Sequence, residues 1–285
     1  MFNLPTESAE FEELMPSRLV LGSHQGTGKT TAATLLPNCL VLDLEGGAIG
    51  YGGTHFNLKA EMLKFNGKLK EGQEPLTIVG AFKMFLASLK QSNSQSKTGF
   101  AYDFLAIDTT TSFQAIAAQR ATSMFKKTLV GQGMEKKGVI LTDVVSELPE
   151  GAGYLWLHKA WNELYEECTG LTKYGTIFLA HTKQSSLVKN GKNISVKDLD
   201  ITGKLKLELL RDVQAAGYLW RSDENTVMIS FKSDERDLTT KSRCAHLANK
   251  EFVFSKLNPE TDELTVFWNL IYPDWVKEPI IKKIR

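Results

Sequence analysis

A lysine followed by two hydroxyl residues, Lys29-Thr30-Thr31, comes directly after the glycines Gly26 and Gly28. An apolar run, Leu19 to Leu21, precedes them, and Ser23-His24-Gln25 leads into the first glycine. A run short enough for a buried strand, a Gly-rich turn and a helix start make a phosphate-binding loop. Glycine lets successive backbone N–H groups point at one anion, and the following helix adds its positive N-terminal end. Ser23, His24, Gln25, Gly26, Thr27, Gly28, Lys29, Thr30 and Thr31 are therefore the expected nucleotide cradle. Lys29 is suited to reach the β- and γ-phosphates as a point charge, and the Thr30 hydroxyl to ligate Mg²⁺. The pattern G-x-x-x-x-G-K-[ST] would place its first glycine on Ser23, with Gly22 one place early. The half that shapes the cradle, Gly26-x-Gly28-Lys29-Thr30, is intact. A Gly-rich turn with a chance Lys-Thr is the alternative, and the order strand, loop, helix speaks against it.

Three more residues extend this chemistry. Cys39 to Glu45 reads as a buried strand ending in two acids, Asp43 and Glu45, before Gly46-Gly47. Ligands of doubly wound sheets sit at the carboxyl ends of strands, so Glu45 falls near the phosphates, where a carboxylate can orient and deprotonate an attacking water. A solvated acid at a strand end is the competing reading. Phe104-Leu105-Ala106-Ile107-Asp108 is an apolar strand ending in aspartate, about 80 residues after the loop, and Asp108 is expected to hold the Mg²⁺. Thr109 follows where many helicase-type and chaperone-type ATPases place a glutamate, which leaves Glu45 as the better base. A strand over 175–183 ends in Ala180-His181-Thr182-Lys183. His181 there can hydrogen-bond the γ-phosphate or the water, or be satisfied by neighbouring backbone.

The elements that must position these groups follow in order. Residues 1–16 read as a short leader ending at Pro16, and Leu36-Pro37-Asn38 stops the first helix. Residues 50–75 read as an irregular excursion with a short strand near His55. Helical spacing marks 78–89, 112–127 and 154–171, the last with Trp161 in the core, while 91–98 reads as a surface loop. Two lysine-bearing stretches, 126–153 and 184–203, read as long loops, which in compact domains are functional or disordered. A helix over 204–215, strands over 216–221 and 225–232, and a charged turn Asp234-Glu235-Arg236 come next. The tail suggests a short strand over 252–254 and an end bearing Trp268 and Trp275 that packs back on the domain.

Composition sets outer limits. The 285 residues are 42% hydrophobic and 24% charged, enough to bury one large α/β domain. Lys and Arg (34) nearly balance Asp and Glu (33), so any nucleic-acid binding must come from a local patch. Cys39, Cys168 and Cys244 lie far apart without a C-x-x-C and read as reduced thiols of a cytosolic protein. No apolar run approaches a membrane span, and the acidic start (Glu7, Glu10, Glu12, Glu13) is unlike a secretory signal.

Taken together, strand, phosphate loop, helix, strand with Asp43-Leu44-Glu45, strand with Asp108, strand with a polar end and a Lys/Arg element resemble the RecA-type ATPase core. More narrowly the chain resembles the phage-encoded RecA-like family that consists of the core alone and acts with single-strand binding or annealing proteins. The resemblance runs from Arg18 to about Leu247. It implies a three-layer α/β fold with a mostly parallel central sheet, a core over 17–250 and a C-terminal extension over 251–285. It makes Glu45 the catalytic glutamate and His181 the γ-phosphate sensor, where RecA itself has glutamine. It makes 126–153 and 184–203 the DNA-binding loops. Lys241 and Arg243 then resemble the basic pair that reaches a neighbouring subunit's nucleotide; a solvated edge strand is the other reading of this Lys-x-Arg. The first glycine of the loop is shifted, and no N-terminal oligomerisation domain or aromatic polymerisation motif is recognisable.

The expectation is therefore a Mg²⁺-dependent ATP hydrolase that binds single-stranded DNA in phage recombination, annealing or replication. It would assemble as a homo-oligomeric ring or filament in the host cytoplasm, with a single-strand binding protein or nuclease as further partner and no membrane. A nucleotide-gated partner or loader for a helicase or nuclease, with little DNA binding of its own, is the alternative. A small-molecule kinase is disfavoured, because no Arg-rich lid or acceptor motif is present.

Overall fold

The computed structural model describes residues 13–48, 52–137, 152–189, 192–233 and 240–283. Most of the expected leader, the middle of the first lysine-bearing stretch (138–151) and the charged turn at 234–236 lie outside the described residues.

Six strands form the parallel centre of the sheet: β1 (Arg18–Ser23), β2 (Cys39–Asp43), β3 (Thr54–Asn57), β4 (Phe104–Asp108), β5 (Gly175–Lys189) and β7 (Ala215–Arg221), in the spatial order β7-β1-β5-β4-β2-β3. Short apolar runs buried on both faces are what a parallel sheet requires, and every residue of β2 and β4 is buried. Beyond β7 the sheet continues antiparallel through β8 (Thr226–Ser230), β10 (Glu251–Asn258), β11 (Glu263–Val266) and β12 (Ile280–Lys283). Off this path β6 (Lys192–Leu199) pairs with β5 and β9 (Lys241–Ser242) with β7.

Successive strand residues point to opposite faces, so each strand feeds two cores. Val20, Leu105, Ile107 and Phe178 face helices α3 (Ile78–Gln95), α4 (Thr110–Lys126), α6 (Ala152–Cys168) and α7 (Leu205–Asp212). Phe113 lies edge-on to Trp161 there, their centroids 4.9 Å apart, and Trp161 is in the core as expected. Leu19, Leu21, Phe104 and Ala106 face α1 (Lys29–Leu35) and the segment 268–276. The result is the three-layer α/β arrangement, with a sheet sandwiched between a helical layer and α1. Burying each large apolar side chain contributes about 1.5–3 kcal/mol.

Residues 251–283 are part of the sheet and of this second core. The Trp268 indole is buried and donates to the carbonyl of Ala32 in α1 at 2.8 Å. This bond ties α1 to the segment that joins β11 to β12.

Several local expectations change. The excursion at 50–75 contains α2 (Leu58–Asn66), whose Asn57 side chain caps it by accepting from the Ala60 N–H. Leu58, Met62 and Phe65 supply the helical spacing. Residues 91–95 are the last turns of α3 and not a loop, and Asn93 anchors them through the Leu171 carbonyl and the Ala101 N–H. The stretch 184–203 is mostly a β-hairpin of β5 and β6, in register from Thr182↔Leu199 to Lys189↔Lys192. Its lysines suggested a loop, but the alternation Ile194-Ser195-Val196 is that of a strand, and Val196 is buried. Part of the first lysine-bearing stretch forms α5 (Leu129–Lys136). Among the described residues no helix is long and apolar enough to cross a membrane.

Candidate phosphate-binding site

The site is assembled from the ends of β1, β2, β4, β5 and β7, all of which point the same way because the strands are parallel. After β1 the chain turns through Gly26 (φ 77°) and Gly28 (φ 103°), left-handed values that a side chain disfavours. Gly28 is the N-cap of α1, so the first amides of that helix face the loop.

The Lys29 ammonium lies 2.7 Å from Ser23 Oγ and 3.3 Å from the carbonyls of both Ser23 and His24. Ser23, which stands where the motif has glycine, is buried; its hydroxyl accepts from Lys29 and donates to the His24 carbonyl. The departure from the motif therefore adds an anchor for the lysine. Burial pushes the Lys29 pKa down to about 8, against the opposing charges of Asp108 and Glu45. The Thr30 hydroxyl donates to Asp108 Oδ2 at 2.6 Å. Burial pushes the Asp108 carboxyl up, with the charges of Asp43 and Glu45 adding to the effect and the Thr30 bond opposing it. A hydroxyl and a carboxylate in contact are hard oxygen donors. They fit Mg²⁺, which takes one or two protein ligands and completes its shell with phosphate oxygens and water.

Asp43 and Glu45 have different surroundings. Asp43 is fully buried, and its carboxylate accepts the backbone N–H groups of Glu45, Gly46, Gly47 and Ala48 at 2.6–3.2 Å. Asp43 folds the loop after β2. Leu44 N–H donates to the Asp108 carbonyl at 2.6 Å, stitching that loop to β4. Glu45 is thus held over the cavity, its Oε1 accepting from the hydroxyls of Thr109 and Ser112 and its Oε2 3.6 Å from His181 Nε2.

These groups surround a cavity of about 470 Å³ lined by Gln25 through Thr31, Glu45, Gly47, Asp108, Thr109, His181 and Arg221. Of the residues expected from the sequence, the structure brings Lys29, Thr30, Asp108, Glu45 and His181 together. Ser23 and His24 contribute through Lys29 and do not line the cavity. Lys241 and Arg243 are elsewhere. Ala216 pairs with Lys241 near the start of β7, whereas the loop leaves β1 at Ser23, level with Leu219 further along β7. Both cations donate to the Arg211 carbonyl, at 3.3 and 2.7 Å.

Arg221 was not anticipated. It ends β7, and its guanidinium lies 3.4 Å from the Gly26 carbonyl and 2.9 Å from that of Glu224. A cation at the carboxyl end of the strand beside β1 was the available signal. Thr109 and Ser112 were missed as well, because hydroxyls that hold a carboxylate leave no spacing pattern.

A family model described as an AAA domain matches residues 15–256. The chain belongs to the AAA domain family. The match spans the phosphate loop, both acids, His181 and the antiparallel strands as far as β10, so the AAA domain takes in the whole cavity. The chain is accordingly a P-loop NTPase. None of the curated proteins matches it. Among solved structures it is similar to an ATPase from the type III secretion system of pathogenic bacteria, at 13% identity and a TM-score of 0.37, over 73% of this chain and 53% of that one. The chain spans about half the length of that structure's chain.

Proposed function

We propose that the chain is a Mg²⁺-dependent ATP hydrolase that binds single-stranded DNA in phage recombination, annealing or replication. The observation that carries the hydrolase is the convergence of Lys29, Thr30, Asp108, Glu45 and His181 on one cavity. In this reading the loop amides and Lys29 bind the β- and γ-phosphates, and Glu45 takes the proton of the attacking water. Thr109 and Ser112 orient the carboxylate. His181 contacts the γ-phosphate and, through Glu45, links it to the water. Thr30 and Asp108 would hold Mg²⁺, which when bound would supply charge neutralisation for the phosphates.

Support for DNA comes from the resemblance and from the lysines of the two stretches. Lys136 and Lys137 are exposed at the end of α5, and Lys189 and Lys192 lie where the β5–β6 hairpin turns. A homo-oligomer, a single-strand binding protein or nuclease as partner, and the host cytoplasm belong to the same reading. The test is ATP turnover with and without single-stranded DNA. Stimulation that falls with salt, and that is lost when Lys136, Lys137, Lys189 and Lys192 are replaced together, is expected, because neutralising phosphates releases counterions. Turnover indifferent to DNA would favour the nucleotide-gated loader instead.

A further inference from the structure

Helices α2 and α3 leave an apolar groove of about 300 Å³ between them, and it shares no lining residue with the phosphate cavity. Phe56, Met62, Phe65, Leu76, Met84 and Phe85 line it. Phe85 is buried, and its ring meets that of Phe56 with centroids 5.1 Å apart, whereas Phe65 and Met84 are exposed. Lys64 and Lys68, also exposed, belong to the same lining. Lys64 is paired with Glu61 at 2.6 Å, and Lys68 has no ionic partner among the described residues. We propose that this groove docks an acidic segment of a partner protein, which seats one or two bulky apolar side chains between the helices and sets carboxylates against the lysines of α2 and of the turn after it.

The walls of the groove are fixed by local bonds. Asn66, the last residue of α2, accepts the Leu76 N–H at 2.7 Å and donates its side-chain amide to the Leu76 carbonyl at 3.0 Å, which sets Leu76 on the groove. Gly80 makes room for it in α3, since a Cβ there would lie 2.8 Å from Leu76 Cδ1. Asn57 and Thr77 cap the two helices. A surface ordered in advance loses little entropy when a partner docks. Pockets that enclose whole small molecules run from about 300 Å³ upward, so this one, at the lower limit, suits the anchor side chains of a larger partner. Met62 and Met84 are flexible and polarizable, the property that lets a groove fit irregular apolar anchors. Charge decides the sign of the partner. From Leu58 to Lys70 the chain carries Lys59, Lys64, Lys68 and Lys70 but one acid, Glu61, and that acid is already paired. The excess is local, because the whole chain is nearly neutral. Complementary carboxylates would steer encounter and fix orientation. The apolar lining favours peptide over nucleic acid, whose phosphate backbone finds no partner in Met62, Leu76 and Met84. An amphipathic helix with apolar anchors on one face and acids beside them has the required character.

The probe is a labelled synthetic peptide of about twelve residues, roughly three helical turns, with Leu and Phe at helical spacing on one face and Glu elsewhere. Its fluorescence anisotropy is followed on addition of the full chain, beside a twin with Lys in place of every Glu and a single-stranded oligonucleotide as competitor. The acidic peptide is expected to bind, more weakly as salt is raised, and the lysine twin is not. Lys68→Glu and Met84→Glu, both at exposed positions, are each expected to weaken the acidic peptide by about tenfold or more. Should Met84→Glu unfold the chain, Met84→Gln, which adds no charge, is expected to lower affinity in the same direction. An acidic peptide that fails to bind, or that binds the folded variants as tightly as the parent, would overturn the proposal, and so would equal binding of the lysine twin. An oligonucleotide that displaces the peptide and itself loses affinity in Met84→Glu would also overturn it, making the groove a nucleic-acid surface.

Discussion

His181 Nε2 lies 3.6 Å from Glu45 Oε2, although their strands are separated in the sheet by β4. The register explains the meeting. Asp43, Asp108 and Leu179 stand in one row across β2, β4 and β5, and β4 ends there. Glu45 and His181 each lie two residues further on, so they face each other over the end of the shorter strand. The carboxylate proposed as base and the imidazole proposed to contact the γ-phosphate are thereby placed in one contact, with Thr109 and Ser112 holding the opposite oxygen of the carboxylate.

Glu45→Gln is expected to preserve nucleotide binding and lower kcat by about 10²-fold or more, because the amide keeps the shape and loses the base. Single-turnover hydrolysis measured beside equilibrium binding checks it. Unchanged turnover would remove Glu45 from the chemistry.

The buried acid two residues earlier should behave differently. Asp43→Ala leaves four backbone donors without their acceptor and is expected to cost about 3 kcal/mol of stability, with turnover falling because Glu45 loses its perch. Denaturant titration reads the first effect. Glu45→Gln, by contrast, should leave the unfolding midpoint where it was.

Lys29 gives a pH signature. Its pKa is about 8 in the folded protein against an ordinary 10.5, and phosphate binding requires the charged form. Nucleotide binding should therefore take up a proton above about pH 8, and affinity should fall as pH rises through that value. In the free protein the sign for folding is opposite. Between about 8 and 10.5 the unfolded chain binds more protons, so the cost of the buried charge is fully present below this window and is relieved as pH rises through it. Affinity measured from pH 7 to 9.5 shows the first effect; Lys29→Ala should abolish both the slope and hydrolysis. A flat profile in the parent protein would count against the burial of a charged Lys29.

Lys241 and Arg243 cannot serve their own cavity from the far end of β7. If they act on a nucleotide, it belongs to a neighbouring copy, and Arg243→Ala mixed with Lys29→Ala should recover part of the turnover that each lacks alone. Co-assembly checked by light scattering with no recovery would leave Arg243 as a residue that braces the Arg211 carbonyl.

The sheet centre and the cradle were legible because each rests on a short local pattern: an apolar run that ends in an acid, or glycines before Lys29-Thr30. Glu45 was preferred as the base from its strand-end position, from the threonine after Asp108 and from the resemblance, and the amides around Asp43 are the physical reason that these two acids differ. Arg221, Thr109 and Ser112 were not legible, since their importance comes from partners 64 to 195 positions away. The β5–β6 hairpin was read as a loop because lysine content outweighed a period-2 pattern, and α2 was missed inside a glycine-bearing stretch. The joining of β10 to β8 and of β12 to β11 depends on pairing between separated segments that no single segment encodes.

Strand β5 runs without interruption from Gly175 to Lys189, and His181 sits in its middle. At about 3.3 Å per residue, the stretch from His181 to the hairpin turn is a stiff arm roughly 25 Å long with its pivot beside the phosphates. Any tilt of the strand at His181 would be geometrically magnified at the end of the pairing, where Lys189 stands in register with Lys192. If the cavity holds a γ-phosphate against His181, as proposed, the hairpin is the lever that would carry its state to the far end of the pairing.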